Sequence, residues 1–599
     1  MASYSARCTF PSLPKTTRGK PLVLGGDPKG KNFLYTNGHN VIIRNIENPY
    51  IADIYTQHSC PTTVAKYSPS GFYICSGDES GKVRIWDTTQ QEHILKKEFH
   101  CLGGAIRDIQ WSPDNQRIVV AGDGKESFAR VFMWDSGNSV GEFIGHSASI
   151  NSCDYKSTRP FKIVTASEDK CIGFFEGPPF KFKQTLQDHT NFVNAVRFSP
   201  DGNVFISGGA DGRAFIYDAK NAEKVGELGP PAHKGGIYGL EFSPDSQHCL
   251  TVSGDKTAKM WDVSTQQVVT EFPFGKSVED MQLGCLWQGQ HMLTVSLSGY
   301  INYLDKNNPT QPHRILKGHN KPMTAMTVTE DRSTLFTGSS DSHINYWDSM
   351  SGNDGEMAGK GHGSQVQKMT VMGDTLISIG LDDTVIFSSA RERTYGSHVV
   401  KVDSQPKDVA AKHGQIVIAC VNHILVFEGE RKVTTLNVTY EPVSVSIHPD
   451  GREIAVGGAQ DNKIHIYQLS GMTLSETRVL EQAGTSLALE YSPNGTFLGS
   501  AGSDRRVRCY QLPSYETIFD DPTHTARVNC LAWTPNSAYL ASGSLDNNLI
   551  VWKPIKSYDN KLQIKGAHPM AQITDVVWIS DNILVSTAQD STVKQWNIS

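Results

Sequence analysis

Serine, histidine and aspartate residues recur together along this sequence in a combination that could perform nucleophilic catalysis. In a catalytic triad an aspartate orients a histidine, which takes the proton of the serine hydroxyl that attacks the substrate. His524, Ser542 and Asp546 are one such set. Similar sets occur in repeat after repeat, whereas an enzyme needs a single active site. We therefore interpret them as structural, and no Gly-x4-Gly-Lys-Ser/Thr loop or His-Glu-x-x-His motif indicates nucleotide or zinc chemistry.

The spacing within these sets is regular. In six repeats a histidine precedes a Trp or Tyr by 28 positions, and a Ser or Thr follows the histidine by 18. An aspartate comes four positions later in five of them, whereas Ser80 takes its place in the repeat of His58. A buried relay of hydrogen bonds fits this pattern, because every polar group then has a partner. The relay residues predicted in four repeats are His233, Thr251, Asp255, Trp261, His319, Thr337, Asp341, Trp347, His524, Ser542, Asp546, Trp552, His568, Ser586, Asp590 and Trp596.

The elements that must position these residues repeat with the same period. Aromatic strand endings such as Trp86, Trp134 and Phe175 recur 40 to 48 positions apart along the chain. That is the period of a four-stranded propeller blade, and the series contains fourteen members. Short apolar segments such as Val193 to Phe198 are followed by Ser-Pro-Asp-Gly-like turns, as expected between strands. The sequence thus predicts an all-β protein.

Fourteen blades exceed the usual four to eight of one ring, so we predict two seven-bladed β-propellers in tandem. The first covers residues 17–318 and the second covers residues 319–599. The last repeat supplies three strands between Ile573 and Asn597, while Ala6 to Phe10 reads as an unassigned strand. We therefore expect a strand from residues 1–16 to complete the last blade, which leaves no exposed sheet edge. The first ring would close by packing alone, with seven complete blades.

Composition excludes several functions. The net charge of −6 and the pI near 6.4 do not favour nucleic-acid binding. No apolar run approaches the roughly 20 residues that span a membrane. Eleven cysteines occur without a Cys-x-x-Cys pair, which argues against a disulfide framework or a metal cluster and favours a reducing cytoplasm. We expect no metal and no cofactor.

The repeat resembles the WD-repeat family over nearly the whole chain. Two repeats depart from it: the third is lengthened by residues 122–128, and the fourth ends in FEGPPFKFK. With FPSLPKTTRG and GDPKGKNFLYTNG nearer the start, these segments are similar to a family of actin-interacting proteins with fourteen WD repeats. The resemblance implies a protein, not an enzyme, that binds filamentous actin decorated with ADF/cofilin. It also implies promotion of filament severing and disassembly, assistance to barbed-end capping, and a monomer in the cytoplasm on the actin cytoskeleton.

The same resemblance indicates an interaction surface on the third to fifth repeats. Because strands alternate in direction, the turn after the second strand and the loop before the first strand share one face. An exposed aromatic residue beside charged groups could anchor a protein interface there. Asp169 also fits the relay spacing, and Phe182 and Phe192 could instead be packed against the blades. The predicted actin- and cofilin-binding residues are Glu126, Phe128, Glu168, Asp169, Phe182 and Phe192.

Two alternatives remain open at this stage. A WD-repeat scaffold could serve another assembly, such as a ubiquitin-ligase substrate receptor or a vesicle coat. Such proteins usually carry additional helical or motif domains, whereas this chain is almost entirely repeat. A propeller enzyme would need an acidic or metal-bearing central channel, which spacing cannot reveal.

Overall fold

A computed structural model describes residues 3–141, 143–471, 473–557 and 559–599. Met1 and Ala2, part of the segment predicted to complete the last blade, lie outside the described residues. The described chain forms fourteen antiparallel sheets, with one short 3-10 helix at Val278–Asp280. None of its helices is long and apolar enough to cross a membrane. The prediction of an all-β protein built from tandem propellers is confirmed.

The chain divides into two compact units. The first strand, β1 (Tyr4–Phe10), belongs to the second unit. The first unit, called the N-terminal ring here, comprises Leu13–Asn320 and contains seven sheets. Its strands, sheet by sheet, are β2–β5 (Gly25–Gly26, Asn32–Asn37, Asn40–Asn45, Ala52–Tyr55), β6–β9 (Thr62–Tyr67, Tyr73–Asp78, Lys82–Asp87, Leu95–His100), β10–β12 (Ile106–Trp111, Arg117–Gly122, Ala129–Met133), β13–β16 (Ile150–Tyr155, Lys162–Ser167, Ile172–Glu176, Lys181–Leu186), β17–β20 (Val193–Phe198, Val204–Gly209, Ala214–Asp218, Lys224–Glu227), β21–β24 (Ile237–Phe242, His248–Ser253, Thr257–Asp262, Val268–Pro273) and β25–β28 (Gln282–Gln288, His291–Ser296, Ile301–Tyr303, Arg314–Leu316).

The second unit, called the C-terminal ring here, comprises Lys321–Ser599 and the N-terminal segment up to Ser12. Its strands are β29–β32 (Met323–Val328, Thr334–Ser339, Ile344–Asp348, Asp354–Glu356), β33–β36 (Val366–Met372, Thr375–Gly380, Thr384–Ser389, Val399–Lys401), β37–β40 (Pro406–Lys412, Gln415–Cys420, His423–Glu428, Arg431–Asn437), β41–β44 (Pro442–Ile447, Glu453–Gly458, Lys463–Ser470, Thr473–Glu481), β45–β48 (Ser486–Tyr491, Phe497–Gly502, Val507–Gln511, Glu516–Asp521), β49–β52 (Val528–Trp533, Leu540–Ser544, Leu549–Trp552, Lys561–Ile564) and β53–β55 (Ile573–Ser580, Ile583–Ala588, Val593–Ile598) with β1.

Each ring closes through its innermost strands. In both rings the first strand of a sheet contacts the first strand of the next sheet, and the first and seventh sheets contact each other in the same way. The second strands are buried on both faces and read as apolar runs, as in Arg117–Gly122. Turn residues allow the sharp reversals between strands, since Gly202 adopts a φ of +73° after β17. The core of each ring therefore lies between neighbouring sheets.

The N-terminal segment completes the last sheet, as the sequence predicted. Strand β1 pairs antiparallel with β55 from Tyr4 opposite Ile598 to Phe10 opposite Val593, and the sheet order is β1-β55-β54-β53. The units are divided between Ser12 and Leu13 and again between Asn320 and Lys321. The predicted first propeller, 17–318, begins four residues later and ends two residues earlier than the N-terminal ring.

The expectation of seven complete sheets in the N-terminal ring is wrong for the third sheet, which has three strands among the described residues. Ser139 forms a single bridge with Phe132 of β12, and Gly141 forms one with Phe180 before β16. The short segment that contains Ser139 and Gly141 forms bridges to two sheets. It therefore does not pair as a full outer strand with either of them.

An aspartate on an inner strand joins the last sheet of the C-terminal ring to the first. Asp575 Oδ2 accepts hydrogen bonds from the backbone N–H of Met326 at 3.0 Å and from Lys368 Nζ at 2.9 Å. Asp408 similarly accepts from the backbone N–H of Val445 at 2.9 Å, between two consecutive sheets. Inner-strand carboxylates thus hold neighbouring sheets in register.

Candidate protein-binding face

The Ser/Thr–His–Asp sets form buried relays. His524 Nε2 lies 2.9 Å from Ser542 Oγ, His524 Nδ1 lies 2.9 Å from an oxygen of Asp546, and Trp552 Nε1 donates to Ser542 Oγ at 2.8 Å. Ser542 has no exposed surface. Its hydroxyl therefore cannot reach a substrate in this structure, although the distances resemble those of a catalytic triad. The same three contacts are present in the sets His233, Thr251, Asp255 and Trp261, and His568, Ser586, Asp590 and Trp596.

The predicted set His319, Thr337, Asp341 and Trp347 contains the hydrogen bond between the indole and the hydroxyl. Trp347 Nε1 donates to Thr337 Oγ1 at 2.8 Å, and Asp341 accepts from the Ser339 hydroxyl. His319 is buried. The indole and the hydroxyl are thus paired as in the other relays.

In the repeat of His58, the acidic member is not the one expected. His58 Nδ1 lies 3.0 Å from Asp78 Oδ2, and Ser80 Oγ donates to Asp78 Oδ1 at 2.6 Å. The interpretation of Ser80 as a replacement for aspartate is therefore wrong. Asp78 ends strand β7 and reaches the imidazole directly, while Ser80 supports it.

Two further relays in the structure do not have the regular spacing found in the sequence. His146 contacts Asp169 Oδ2 at 2.8 Å and Thr165 Oγ1 at 2.7 Å, and His362 contacts Asp382 and Ser378 in the same way. These histidines lie 19 and 16 positions before their hydroxyl partners instead of 18. Asp169 is thus a relay residue, as its spacing allowed.

One serine outside the relays has the spacing of a nucleophile elbow. Residues 137–141 read Gly-Asn-Ser-Val-Gly. The elbow requires a strand-turn-helix, whereas Ser139 forms a bridge with Phe132 and its Oγ donates to the carbonyl oxygen of Gly141 at 3.1 Å. The motif therefore lacks the conformation that exposes a nucleophile.

Relay carboxyls are held ionised. Burial by itself raises the pKa of Asp546, but hydrogen bonds from His524 and from the backbone N–H groups of Thr525 and Asn548 lower that pKa to about 2. A carboxyl whose pKa is depressed by folding stabilises the protein above its unfolded pKa of about 4. That stabilisation is lost as the pH falls from about 4 to about 2.

We expect Asp546→Ala to lower the free energy of unfolding at pH 7 by about 1–3 kcal/mol, because His524 and the Thr525 N–H lose a buried acceptor. The difference from wild type should shrink as the pH falls from about 4 to about 2. Urea unfolding at pH 7, 4 and 2.5 measures both effects. Asp403→Ala, at an exposed position of the same ring, is the control and should stay near wild type at all three. A difference that does not change with pH would contradict the ionised relay.

Two of the predicted binding residues line a cavity of about 600 Å³ in the N-terminal ring. Glu168, in the turn after β14, and Phe192, in the loop before β17, both contribute to its wall. Arg107 lies between two carboxylates, with Nη1 2.6 Å from Glu168 Oε1 and Nη2 2.8 Å from Asp123 Oδ1. The Phe192 side chain is 45% exposed, so it is available to a partner and is not a core residue.

The lengthened turn of the third sheet contains the next two predicted residues. Glu126 is exposed there. Phe128 is half-buried, and it packs against the core between the third and fourth sheets, which includes Ile150 and Phe175. Glu126 is therefore free to contact a partner, whereas the Phe128 ring serves mainly to fix the turn.

Phe182 is not brought together with Glu168 and Phe192. It lies on the outer strand β16, where Phe180 just before the strand is buried and Phe182 is 38% exposed. Its pairing partner is Phe175, at the end of β15 that lies away from the turn carrying Glu168. Phe175 lies three positions from Ile172, the residue at the turn end of β15, which corresponds to about 10 Å.

Sequence reasoning missed the charged residues that share the cavity wall with Phe192. Arg107 is the second residue of the inner strand β10, and Arg18 and Lys20 lie before the first sheet. The run KTTRGK was the available signal, but its neighbours across the cavity are distant in sequence.

Comparison with known proteins places the chain in a family. The family described as WD domain, G-beta repeat matches residues 51–87, 93–125, 137–176, 180–218, 224–262, 310–348, 477–511, 516–553 and 560–597. Most of these segments begin near the outer strand of one sheet and end with the third strand of the next. Each sequence repeat therefore links two blades.

Full-length relatives narrow the family further. The chain is 48% identical to actin-interacting protein 1 of Drosophila melanogaster, over 100% of the chain and 98% of that protein. It is 48% identical to WD repeat-containing protein 1 of Gallus gallus (100% and 99% covered) and 50% identical to that of Rattus norvegicus (99% of each). The repeat, the fourteen sheets and these full-length matches together show that the chain belongs to the WD-repeat family, in the group of actin-interacting protein 1 and WD repeat-containing protein 1.

Proposed function

We propose that this protein binds actin filaments decorated with ADF/cofilin, promotes their severing and disassembly, and assists the capping of barbed ends. The observation that carries the proposal is the 48% identity, over the whole chain, with a relative named for its interaction with actin. The protein then acts by binding, as a monomer on the actin cytoskeleton of the cytoplasm. The burial of the Ser542 hydroxyl in its relay supports a binding role over catalysis by these sets.

The N-terminal ring offers a suitable surface for this binding. Phe192 is an exposed aromatic side chain that lines the same cavity as the charged pair Arg107 and Glu168. Aromatic and arginine residues surrounded by polar groups are typical interface hot spots. Glu126 is exposed in the turn after β11, on the sheet next to the one that carries Glu168, which supports its inclusion in this surface.

Disassembly follows if the protein prefers one filament state. A ligand shifts an equilibrium between two states only by the difference in its affinity for them. A rigid propeller face that fits the cofilin-decorated filament in a strained arrangement better than in an intact one would favour breakage. Nucleotide hydrolysis is not required for this step.

We expect Phe192→Ala to weaken cofilin-dependent loss of pelletable actin about tenfold or more, which corresponds to about 1.4 kcal/mol. Glu126→Ala should act in the same direction with a smaller effect. Sedimentation of actin filaments with and without cofilin over a range of protein concentrations measures both. Val268→Ala, an exposed apolar residue on an outer strand of the same ring, is the matched control.

Different results of these sedimentation experiments would contradict different parts of the proposal. Wild-type protein that leaves the pelletable actin unchanged in the presence of cofilin would refute the proposed function. Full activity in both Phe192→Ala and Glu126→Ala would keep the function but move the interface elsewhere. Phe182→Ala tests whether the outer strand of the fourth sheet contributes separately.

A further inference from the structure

A segment that precedes the first sheet crosses the face of the N-terminal ring beside the cavity. This strap, residues 13–22, is held at both ends. Asn37 Nδ2 donates to the carbonyl oxygen of Leu13 at 2.7 Å, and the backbone N–H of Leu22 donates to Leu283 O at 2.9 Å. Between them Thr16 Oγ1 donates to Leu297 O at 2.5 Å. The strap is therefore a fixed part of the ring.

The middle of the strap presents two cations to the cavity. The backbone N–H of Lys20 donates to Thr17 O at 3.1 Å, and Gly19 has a φ of +82°, so residues 17–20 form a tight turn. Arg18 and Lys20 are exposed and line the cavity. The side chain of neither residue forms an ion pair within the part of the chain that the structure describes.

The other charged groups of the cavity wall are already paired. Arg107 contacts both Asp123 and Glu168, and Lys15 Nζ lies 3.7 Å from Glu79 Oε1. Because Arg107 faces two carboxylates, the cavity wall carries four cations against three carboxylates, so its excess charge is positive and its two cations without an ion pair among the described residues lie on the strap. This positive charge contrasts with the net charge of −6 on the whole chain.

The same cavity has an apolar side. Phe192 is 45% exposed there, and its volume of about 600 Å³ lies in the range of ligand sites. An aromatic surface in the same cavity as two unpaired cations fits a ligand that carries both carboxylates and an apolar side chain. An extended peptide supplies both groups at adjacent positions.

We propose that this cavity binds an acidic peptide segment of the partner, with Arg18 and Lys20 contacting its carboxylates and Phe192 contacting an apolar side chain. The identity of the partner as a component of the cofilin-decorated filament rests on the proposed function. The binding of an acidic peptide rests on the strap and cavity alone. Binding weakens as ionic strength rises, because exposed charges are screened.

The test uses a fluorescein-labelled peptide of four glutamates around one phenylalanine, with fluorescence anisotropy on the full-length protein. Wild type should bind it at least tenfold more tightly than the peptide with glutamines in place of glutamates. The variant R18E/K20E should bind the acidic peptide at least tenfold more weakly than wild type. The control R431E/K432E makes the same charge change at exposed positions of the C-terminal ring and should bind like wild type.

Equal affinity for the two peptides, no binding by wild type, or R18E/K20E binding like the control would each overturn the proposal. Phe192→Ala tests the apolar contact, and its affinity should fall for both peptides. Thermal unfolding of R18E/K20E confirms that the exposed substitutions leave the fold intact. Actin sedimentation with the same variants separates the two hypotheses: peptide binding without actin activity refutes only the proposed function, and actin activity without peptide binding refutes only this inference.

Discussion

Phe10→Ala is expected to lower the free energy of unfolding of the C-terminal ring by about 3–5 kcal/mol, the usual cost of truncating a buried phenylalanine. Phe10 is fully buried and stacks on Trp347, with ring centroids 5.8 Å apart and planes inclined by 13°. It belongs to a cluster that includes Met323 and Val593, so it joins the first and last sheets of the ring. A cavity at this point would loosen the closure itself.

Hydrogen exchange followed by mass spectrometry locates the effect. In Phe10→Ala, peptides from β53–β55 should exchange faster, while peptides from the fifth sheet of the N-terminal ring should be unchanged. Tyr4→Ala is the matched control, because Tyr4 lies on the same strand but is 42% exposed and contacts Trp596 only edge-on. Removal of residues 1–12 should exceed the effect of Phe10→Ala, since it uncovers the whole edge of β55. Unchanged exchange in that truncated chain would show that the ring closes without β1.

Asp575→Ala is expected to destabilise the C-terminal ring by about 3 kcal/mol. The substitution removes the acceptor of the Met326 N–H and the nearest negative partner of Lys368 Nζ, at 3.0 and 2.9 Å. Asp575 is 7% exposed and Lys368 is half-buried, so removing the carboxylate leaves the ammonium group without its partner in a partly dry environment. Asp575→Asn, which keeps a hydrogen-bond acceptor but not the charge, should lower the free energy of unfolding less than Asp575→Ala does.

A double replacement distinguishes the ion pair from the backbone contact. Lys368→Met combined with Asp575→Leu should be more stable than Asp575→Ala alone, because neither member of this ion pair is left without the other. Urea unfolding of the full-length protein measures all three variants against wild type. Asp575→Ala within about 0.5 kcal/mol of wild type would show that the carboxylate does not hold the ring closed.

The relays show which residues can be predicted from spacing in the sequence and which cannot. The sets of His524 and His568 were predicted completely, because each relay is built within one repeat whose strands and turns have constant length. His146 and His362 were missed because the stretch between each histidine and its hydroxyl partner is longer or shorter than in the other repeats. Asp78 was missed although its repeat has the regular length, because it lies two positions after Ser76 instead of four. The acidic member of a relay is the residue whose carboxylate reaches the imidazole, whether or not it lies four positions after the Ser or Thr.

The candidate face was predicted less well. Two of its residues, Glu168 and Phe192, do line one cavity, and Glu126 is exposed. Asp169 is taken by a relay, and Phe182 lies toward the other end of its sheet. The position of a residue in the sequence indicates which blade it belongs to. The strand register decides which end of that blade it occupies.

The sequence by itself determined the class of fold, the number of blades and the use of an N-terminal strand in the last sheet. These follow from periodic patterns and from a missing strand, which are local properties of the chain. The tertiary structure alone decided which side chains join the first and last sheets of the C-terminal ring and which residues line the face of the N-terminal one. Asp575 meets Met326, and Arg18 shares a cavity with Phe192. Both pairs are far apart in sequence. Asp575 and Met326 meet because ring closure packs the ends of the unit together, and Arg18 and Phe192 share a cavity because the strap lies on the face of its ring.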